Sequence, residues 1–541
     1  MSGARRDAAG WLALATLAVA YFALSTRWLG FYAWGVDEGM YLMRARMMGH
    51  GFALYRDIWF NHPPLLVLLV RLAFDAAGES VAAARWVPLA CASLGLAATA
   101  AVARALGGWR AAFAAAALLA ATPLFFGLSR AVMASLPALA LAMAAVALAL
   151  GHQAATRAGR RGRALAALAA SGLAFGLGLA IKLIALPWLA PLALVLLDGH
   201  AAAGGGRRPT RRWPWRRLAI DAALWGALAA LPLAWVAARY GLGAVSSQAV
   251  GSLATARAEL GFDLAGNVAK LLESLVEGQL AIAALGVFAL AAGLAAGATG
   301  AGAVAAGDRA PITGVGDDSD APRARLWRIV AVWLAASLAA VLLHSPIWSH
   351  HYLLLVFPLA AAAGDGAWRV AGALRGAARA GVGDAATSSA ADRARAGDGG
   401  WRAFAWTAVA AALLSAPVQA VRLVDSTRAW DAAAGAAIAR LGEAARPGDY
   451  VITDSPMIAF RAGLLVPPDL CDPGKKRIDA GELTVDDVLA DIDRFAPAAV
   501  LLWEGRLSRG PFGGFPAALE ARGFRRVAEL DARQERWLYT R

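Results

Sequence analysis

The chain has 541 residues, 59% of them hydrophobic, with a mean hydropathy of +0.54. A water-soluble protein of this length needs more charged surface than that composition supplies, which excludes a soluble globular fold. The net charge of +14 does not point to nucleic acid, because the arginines cluster in short loops between apolar stretches, where the positive-inside rule puts them.

Arg5 and Arg6 precede a long apolar run, Trp11 to Leu29, with no convincing small-residue cleavage site behind it. This predicts an uncleaved first membrane helix with its N-terminus in the cytoplasm. A long outer loop follows, at about residues 30–80. Within it Leu65 to Phe74 is apolar, but it is short for a bilayer core of roughly 30 Å and carries Arg71. Counting it as a span would turn every later arginine cluster outward, so a juxtamembrane or re-entrant helix is expected. Further spans are predicted at roughly 81–103, 110–128, 131–151, 164–181, 183–198, 218–238, 279–299, 327–344, 351–372 and 403–421, about eleven in all. On this path the basic loops Arg157–Arg163, Arg207–Arg217, Arg323–Arg328 and Arg375–Arg402 lie inside, and the C-terminal segment lies outside.

Gly/Ala/Asp-rich stretches near 300–322 and 376–400 read as flexible linkers. From residue 422 the composition becomes that of a soluble α/β domain. Tyr450–Thr453 and Ala498–Trp503 read as strands, Val485–Phe495 and Pro516–Arg522 as helices, and Val527–Leu530 and Arg536–Tyr539 as closing strands. The expected division is a membrane domain over 1–421 and an extracytoplasmic α/β domain over 422–541. Two cysteines, Cys91 and Cys471, make neither a disulfide framework nor a cysteine metal site.

Five elements fall on the outer face of this topology. Val36-Asp37-Glu38-Gly39 places two acids in an apolar frame, where charge is costly without a task; a carboxylate capping the helix through Tyr41–Met48 is the plainer alternative. Asn61-His62-Pro63-Pro64-Leu65 uses paired prolines to fix a helix entry with His62 at its mouth, as catalyst or as structural hydrogen-bonder. Ser129 to Pro137, with Arg130, closes a helix pair; Lys182 lies in a turn between two apolar helices; Ser349-His350-His351-Tyr352 opens another helix. Arg130 and Lys182 suit a phosphate, or simply snorkel to the interface. Asp454, Ser455 and Arg461, near the first C-terminal strand, offer either acceptor contacts or ordinary turn and cap roles.

The order of these elements resembles the GT-C glycosyltransferases of the protein O-mannosyltransferase and lipid A aminoarabinose transferase type, over most of residues 10–370. The acidic pair with His-Pro-Pro-Leu carries the likeness. Arg-x-x-Met-x-x-x-Pro, the Gly-Leu stretch just before Lys182 and a late His-Tyr add to it. The resemblance implies a polytopic α-helical membrane protein with a small C-terminal α/β domain. It also implies a polyprenyl-phosphate-linked sugar as donor, a protein, lipid or polysaccharide hydroxyl as acceptor, and inversion at the anomeric carbon. By the family pattern Asp37 is the general base. Arg130 and Lys182 stabilise the donor phosphate. Glu38, Tyr55, Asp57, His62, His351 and Tyr352 complete the substrate-binding set. No cofactor is required by the pattern, and a divalent ion on Asp37, Glu38 and His62 is left open. Ser135 stands where many relatives carry an acid, which puts a charge pair at that position in doubt. A lipid flippase or transporter is the alternative function; the absence of a repeat and the placement of charges at helix ends speak against it.

Overall fold

The structure is a computed structural model and describes residues 3–30, 36–203, 215–251, 261–305, 320–344, 347–380, 421, 424–425, 427–531 and 536–541. Among these residues eight helices are long and apolar enough to cross a membrane, and the chain is a multi-pass membrane protein. The expected spans map onto them closely. Those at 81–103 and 110–128 run together as α4 (Val81–Ala120), whose backbone breaks at Gly108 with φ 77°. The span at 183–198 is a shorter apolar helix, Leu183–Asp198. The one at 403–421 falls, save for its last residue, outside the described residues, as do 306–319 and 381–400 of the expected linkers, whose described ends at 300–305, 320–322 and 376–380 are helical instead.

Three helices frame the region of interest: α1 (Gly3–Thr26), α2 (Val36–Gly49) and α3 (Leu65–Ala77). Helix α3 has 13 residues, about 20 Å at 1.5 Å per residue, which is short of a span. Its buried stripe is Leu66, Val67, Val70 and Phe74, and Phe74 stacks on Phe460 with ring centroids 5.6 Å apart.

The bundle continues through α5 (Pro123–Leu128), α6 (Ser135–Arg157), α7 (Arg161–Ile181), α8 (Leu189–Ala203) and α9 (Trp215–Tyr240). Small residues let these helices approach closely, as membrane packing favours. At Gly176 of α7 an added Cβ would come within 2.2 Å of the Ala229 carbonyl oxygen on α9.

The C-terminal residues form a four-stranded sheet, β1 (Val451–Thr453), β2 (Ala499–Leu502), β3 (Arg525–Asp531) and β4 (Arg536–Thr540). The order is β1-β2-β4-β3, with β1 parallel to β2 and the other pairs antiparallel. The helix Val485–Phe495 starts at a capping box: Thr484 accepts from the Asp487 amide and Asp487 accepts from the Thr484 amide. It buries Val488, Leu489 and Ile492.

Helix α2 docks against this unit. A Cβ at Gly39 would lie 2.3 Å from the Met457 amide nitrogen, so only glycine permits that approach. Arg46 donates to the carbonyls of Phe460 at 3.0 Å and Leu464 at 3.1 Å and to Glu79 at 2.8 Å. One apolar core therefore runs from α2 and α3 into the sheet.

Candidate active site

Asp37 and Glu38 share the first turn of α2. Successive helical residues point about 100° apart, and the two carboxylates go separate ways. Glu38 is fully buried, and Arg85 of α4 grips both its oxygens at 2.7 and 2.6 Å. Arg85 also donates to the Leu29 carbonyl at 2.7 Å, and the Val132 amide donates to Glu38 at 2.9 Å. Glu38 thus ties α2, α4 and the Ser129–Ser135 loop together, and the substrate role expected of it gives way to this ion pair. Arg130 sits beside the pair: it donates to the carbonyls of Phe126 and Trp28, both at 3.3 Å, and its guanidinium stands 4.2 Å over the Phe126 ring. Burial, with Arg85 adding to it, pushes the Arg130 guanidinium down to about 10.

Asp37 faces a cavity of about 340 Å³ lined also by His62, Lys182, His351, Lys476 and Arg506. Its carboxylate is open to the cavity but set deep among protein atoms. This desolvation raises its pKa, opposed chiefly by Arg506 and more weakly by Lys182 and Arg44, while Asp472 reinforces it. Lys182 caps the end of α7. It donates to the Ser135 hydroxyl at 3.0 Å and lies 3.3 Å from His350 Nε2. Burial pushes Lys182 down to about 7, against the pull of Asp37. The hydroxyl at position 135 supplies an acceptor without cancelling the ammonium charge. His62 is held well below its ordinary value, first by burial and then by Lys182 and Arg44, so its imidazole is neutral at neutral pH.

A second cavity of about 280 Å³ adjoins the first and shares Asn61, His62, Lys182, His344 and His351 with it. The rest of its wall is mainly apolar, including Leu183, Ile184, Val250, Val341 and Leu354. A polar chamber and an apolar one thus meet at a lysine and neutral imidazole.

Of the residues singled out from sequence, Asp37, His62, Lys182 and His351 line the polar chamber, whereas Glu38, Tyr55, Asp57, Arg130 and Tyr352 do not. Tyr55 adopts φ 64° and donates from its hydroxyl to the His62 carbonyl at 2.6 Å. It shapes the loop that carries His62. Asp57 accepts from the Ala53 amide at 2.8 Å and pairs with Arg56 at 2.7 Å, closing that same loop from the outside. Tyr352 is buried in the apolar core. Among the described residues no group of three or more His, Cys, Asp or Glu side chains is arranged to hold a metal ion. With Glu38 committed to Arg85, the Asp37, Glu38 and His62 set does not assemble.

Sequence reasoning missed the wall contributed by the C-terminal unit. Asp472, Lys475, Lys476, Arg477, Glu482 and Arg506 all line the polar chamber. Asp472 binds Arg44 of α2, whose guanidinium stands 4.6 Å over the Phe60 ring. Arg477 pairs with Asp469 and stands 5.1 Å over the Trp59 ring. The basic run Lys475-Lys476-Arg477 after the Asp472-Pro473-Gly474 turn was a visible signal, but nothing local tied it to α2. Asp454, Ser455 and Arg461 take internal roles: Asp454 is buried under backbone amides, Ser455 is buried, and Arg461 pairs with Asp431 at 2.8 Å.

This polytopic helical bundle, with a small C-terminal sheet beside a polar chamber, has the fold of the two solved structures below. Residues 61–232 match the sequence family described as dolichyl-phosphate-mannose-protein mannosyltransferase, about a third of the chain. Among solved structures, the chain is similar to ArnT from Cupriavidus metallidurans bound to undecaprenyl phosphate. That match has a TM-score of 0.60, 17% identity and coverage of 98% of both chains. It is also similar to the archaeal oligosaccharyltransferase AglB from Archaeoglobus fulgidus in complex with an inhibitory peptide and a dolichol-phosphate. There the TM-score is 0.50 at 14% identity, covering 94% of this chain and 72% of that one. No curated protein matches the chain in sequence.

Proposed function

We propose that the protein is a glycosyltransferase that moves a sugar from a polyprenyl-phosphate donor to an acceptor hydroxyl, with inversion, on the extracytoplasmic side of the membrane. The observation that carries this reading is the meeting of the two cavities at Lys182. An apolar tail fits the chamber of Leu183, Ile184 and Val341, its phosphate falls beside Lys182 and His62, and its sugar reaches the chamber that holds Asp37. ArnT and AglB, which share the fold, have been described with undecaprenyl phosphate and dolichol-phosphate respectively, and the same ligand chemistry suits this site.

In the proposed step the acceptor oxygen attacks the anomeric carbon as Asp37 takes its proton. The bond from that carbon to the phosphate oxygen breaks, and polyprenyl phosphate leaves with the electron pair. Lys182 stabilises the charge the leaving phosphate gains, as a preorganised cation in a site of low dielectric. A single displacement inverts the anomeric centre and needs no sugar–enzyme bond. Arg130, held behind the chamber by carbonyls, acts by supporting the loop that positions Ser135. The basic loops inside and the C-terminal unit of residues 422–541 outside follow from the positive-inside rule, in the cell membrane with the N-terminus cytoplasmic.

The test is sugar release from a panel of polyprenyl-phosphate monosaccharides by the protein in lipid nanodiscs, comparing wild type with Asp37→Asn. Turnover of one donor, lost in the variant while the donor still binds, supports the proposal. Full activity of the variant would remove Asp37 as the base, and a glycosyl group trapped on any carboxylate would replace the single displacement.

A further inference from the structure

We infer that Arg506 is a positioning residue for this reaction, presented toward Asp37 across the polar chamber by a loop that the buried carboxylate of Asp454 clamps in place. The inference rests on the reading of Asp37 as the base.

Asp37 opens α2 and Arg506 follows β2 at the far end of the chain, yet both line the same chamber. Among the described residues neither takes part in an ion pair within 4.0 Å, so the two charges face one another across space that a substrate can enter. The loop that carries Arg506 is held from within. Asp454, at the end of β1 and fully buried, accepts from the amides of Trp503 at 2.8 Å, Glu504 at 3.0 Å, Arg506 at 2.8 Å and Leu507 at 3.3 Å. Amide bonds to a buried charge are the strong kind, and losing them strands buried polar groups. Arg506 also donates to the Pro473 carbonyl at 3.3 Å, which joins the loop to the turn that carries Asp472. β1, β2 and the 472–476 turn are thereby set as one wall over α2.

Two of the other cations near Asp37 have separate partners or tasks. Arg44 is bound to Asp472, and Lys182 stands where the donor phosphate is proposed to sit. The charged and titratable groups whose fields reach Asp37 are Tyr41 and Arg44 on its own helix, Lys182, Asp472, Lys476, Glu504 and Arg506. Of the charges among them Arg506 acts on Asp37 most strongly, and its sign keeps the base ionised against desolvation.

The Asp454 clamp grips the Arg506 amide, so Arg506→Gln keeps that clamp while it removes the charge and the guanidinium's bond to the Pro473 carbonyl. The experiment measures the titration midpoint of Asp37 in the full chain in nanodiscs. It follows pH-dependent labelling of the carboxyl by a water-soluble carbodiimide, read by mass spectrometry, and needs no turnover. The midpoint is expected to rise by about one pH unit in Arg506→Gln and in Asp454→Asn and to stay in place in Arg506→Lys. On any donor that turns over, the acid limb of kcat/KM moves up by the same amount. An unchanged midpoint in Arg506→Gln overturns the inference, also when Asp454→Asn shifts it, because that pattern means general loosening of the wall. An unchanged midpoint in Asp454→Asn alone removes Asp454 from the proposal. A shifted midpoint with no wild-type sugar release from any donor leaves the Arg506 relationship standing and sinks the transferase reading instead.

Discussion

Glu38 and Arg85 meet in a two-pronged ion pair at 2.7 and 2.6 Å with both side chains sealed from solvent. Its neighbour in sequence, Asp37, opens into the polar chamber. The first is structural and the second is the proposed base, so their variants should fail in different ways. Removing one partner of a buried ion pair strands the other, at a cost of about 3–5 kcal/mol. Glu38→Ala is expected to lower thermal stability in detergent by that order, whereas Asp37→Asn folds normally and loses turnover. Melting by intrinsic fluorescence, set beside donor turnover, separates the two. Equal stability of both variants would contradict the assignment.

The pH profile should be bell-shaped. As the proposed base Asp37 works only when ionised, and its pKa is raised by desolvation, so activity is expected to be lost as pH falls through a midpoint above the ordinary aspartate range. In the same proposal Lys182 holds the donor phosphate only when protonated, and burial brings it down to about 7, so donor affinity is expected to fall as pH rises past that value. Bound phosphate favours the charged form, so binding takes up a proton there. Calorimetry in buffers of different ionisation enthalpy should detect that uptake in wild type and lose it in Lys182→Met.

Gly39 is expected to tolerate nothing larger. Its missing Cβ would press on the Met457 amide nitrogen at 2.3 Å, which is backbone and cannot swing aside. Gly39→Ala should cost about 1–3 kcal/mol by overpacking and loosen the C-terminal unit from α2. Faster hydrogen exchange in the helix Pro456–Arg461 is the measurement, and unchanged protection there would refute the contact.

The apolar chamber should meter the lipid tail. Ala340, on its wall, replaced by Trp fills space that a prenyl chain needs. The expected result is a KM for polyprenyl-phosphate donors raised about tenfold, the cost of roughly 1.4 kcal/mol of lost tail burial, with kcat little changed. A water-soluble short-chain donor should show no difference between the two proteins.

Much of this was legible along the chain because the signals are local. Apolar length against bilayer thickness and arginine placement marked the spans. Period-two and 3.6-period patterns marked the strands and the helix Val485–Phe495, which the structure reproduces at the same residues. Residue chemistry selected Asp37, His62 and Lys182 because charged or imidazole groups at helix ends in an apolar frame are rare and costly.

What adjacency concealed was direction. Glu38 and Asp37 read alike in sequence, and only the 100° step of α2 against the position of Arg85 sent one into the core and the other into the chamber. Arg130 and Lys182 read as equal phosphate cations, yet carbonyls of Phe126 and Trp28 hold the first away while the second stands at the junction of the cavities. Arg506 had no local mark of function, and the basic run that holds Lys476 had nothing local to tie it to α2. Their place beside Asp37 depends on how the sheet docks on α2 through Gly39, Arg46 and the Arg44–Asp472 pair. Periodicity, span length and residue chemistry are properties of short windows and so were decided by the sequence itself. The composition of the chamber depends on long-range packing between segments more than four hundred residues apart, and only the tertiary structure decides that.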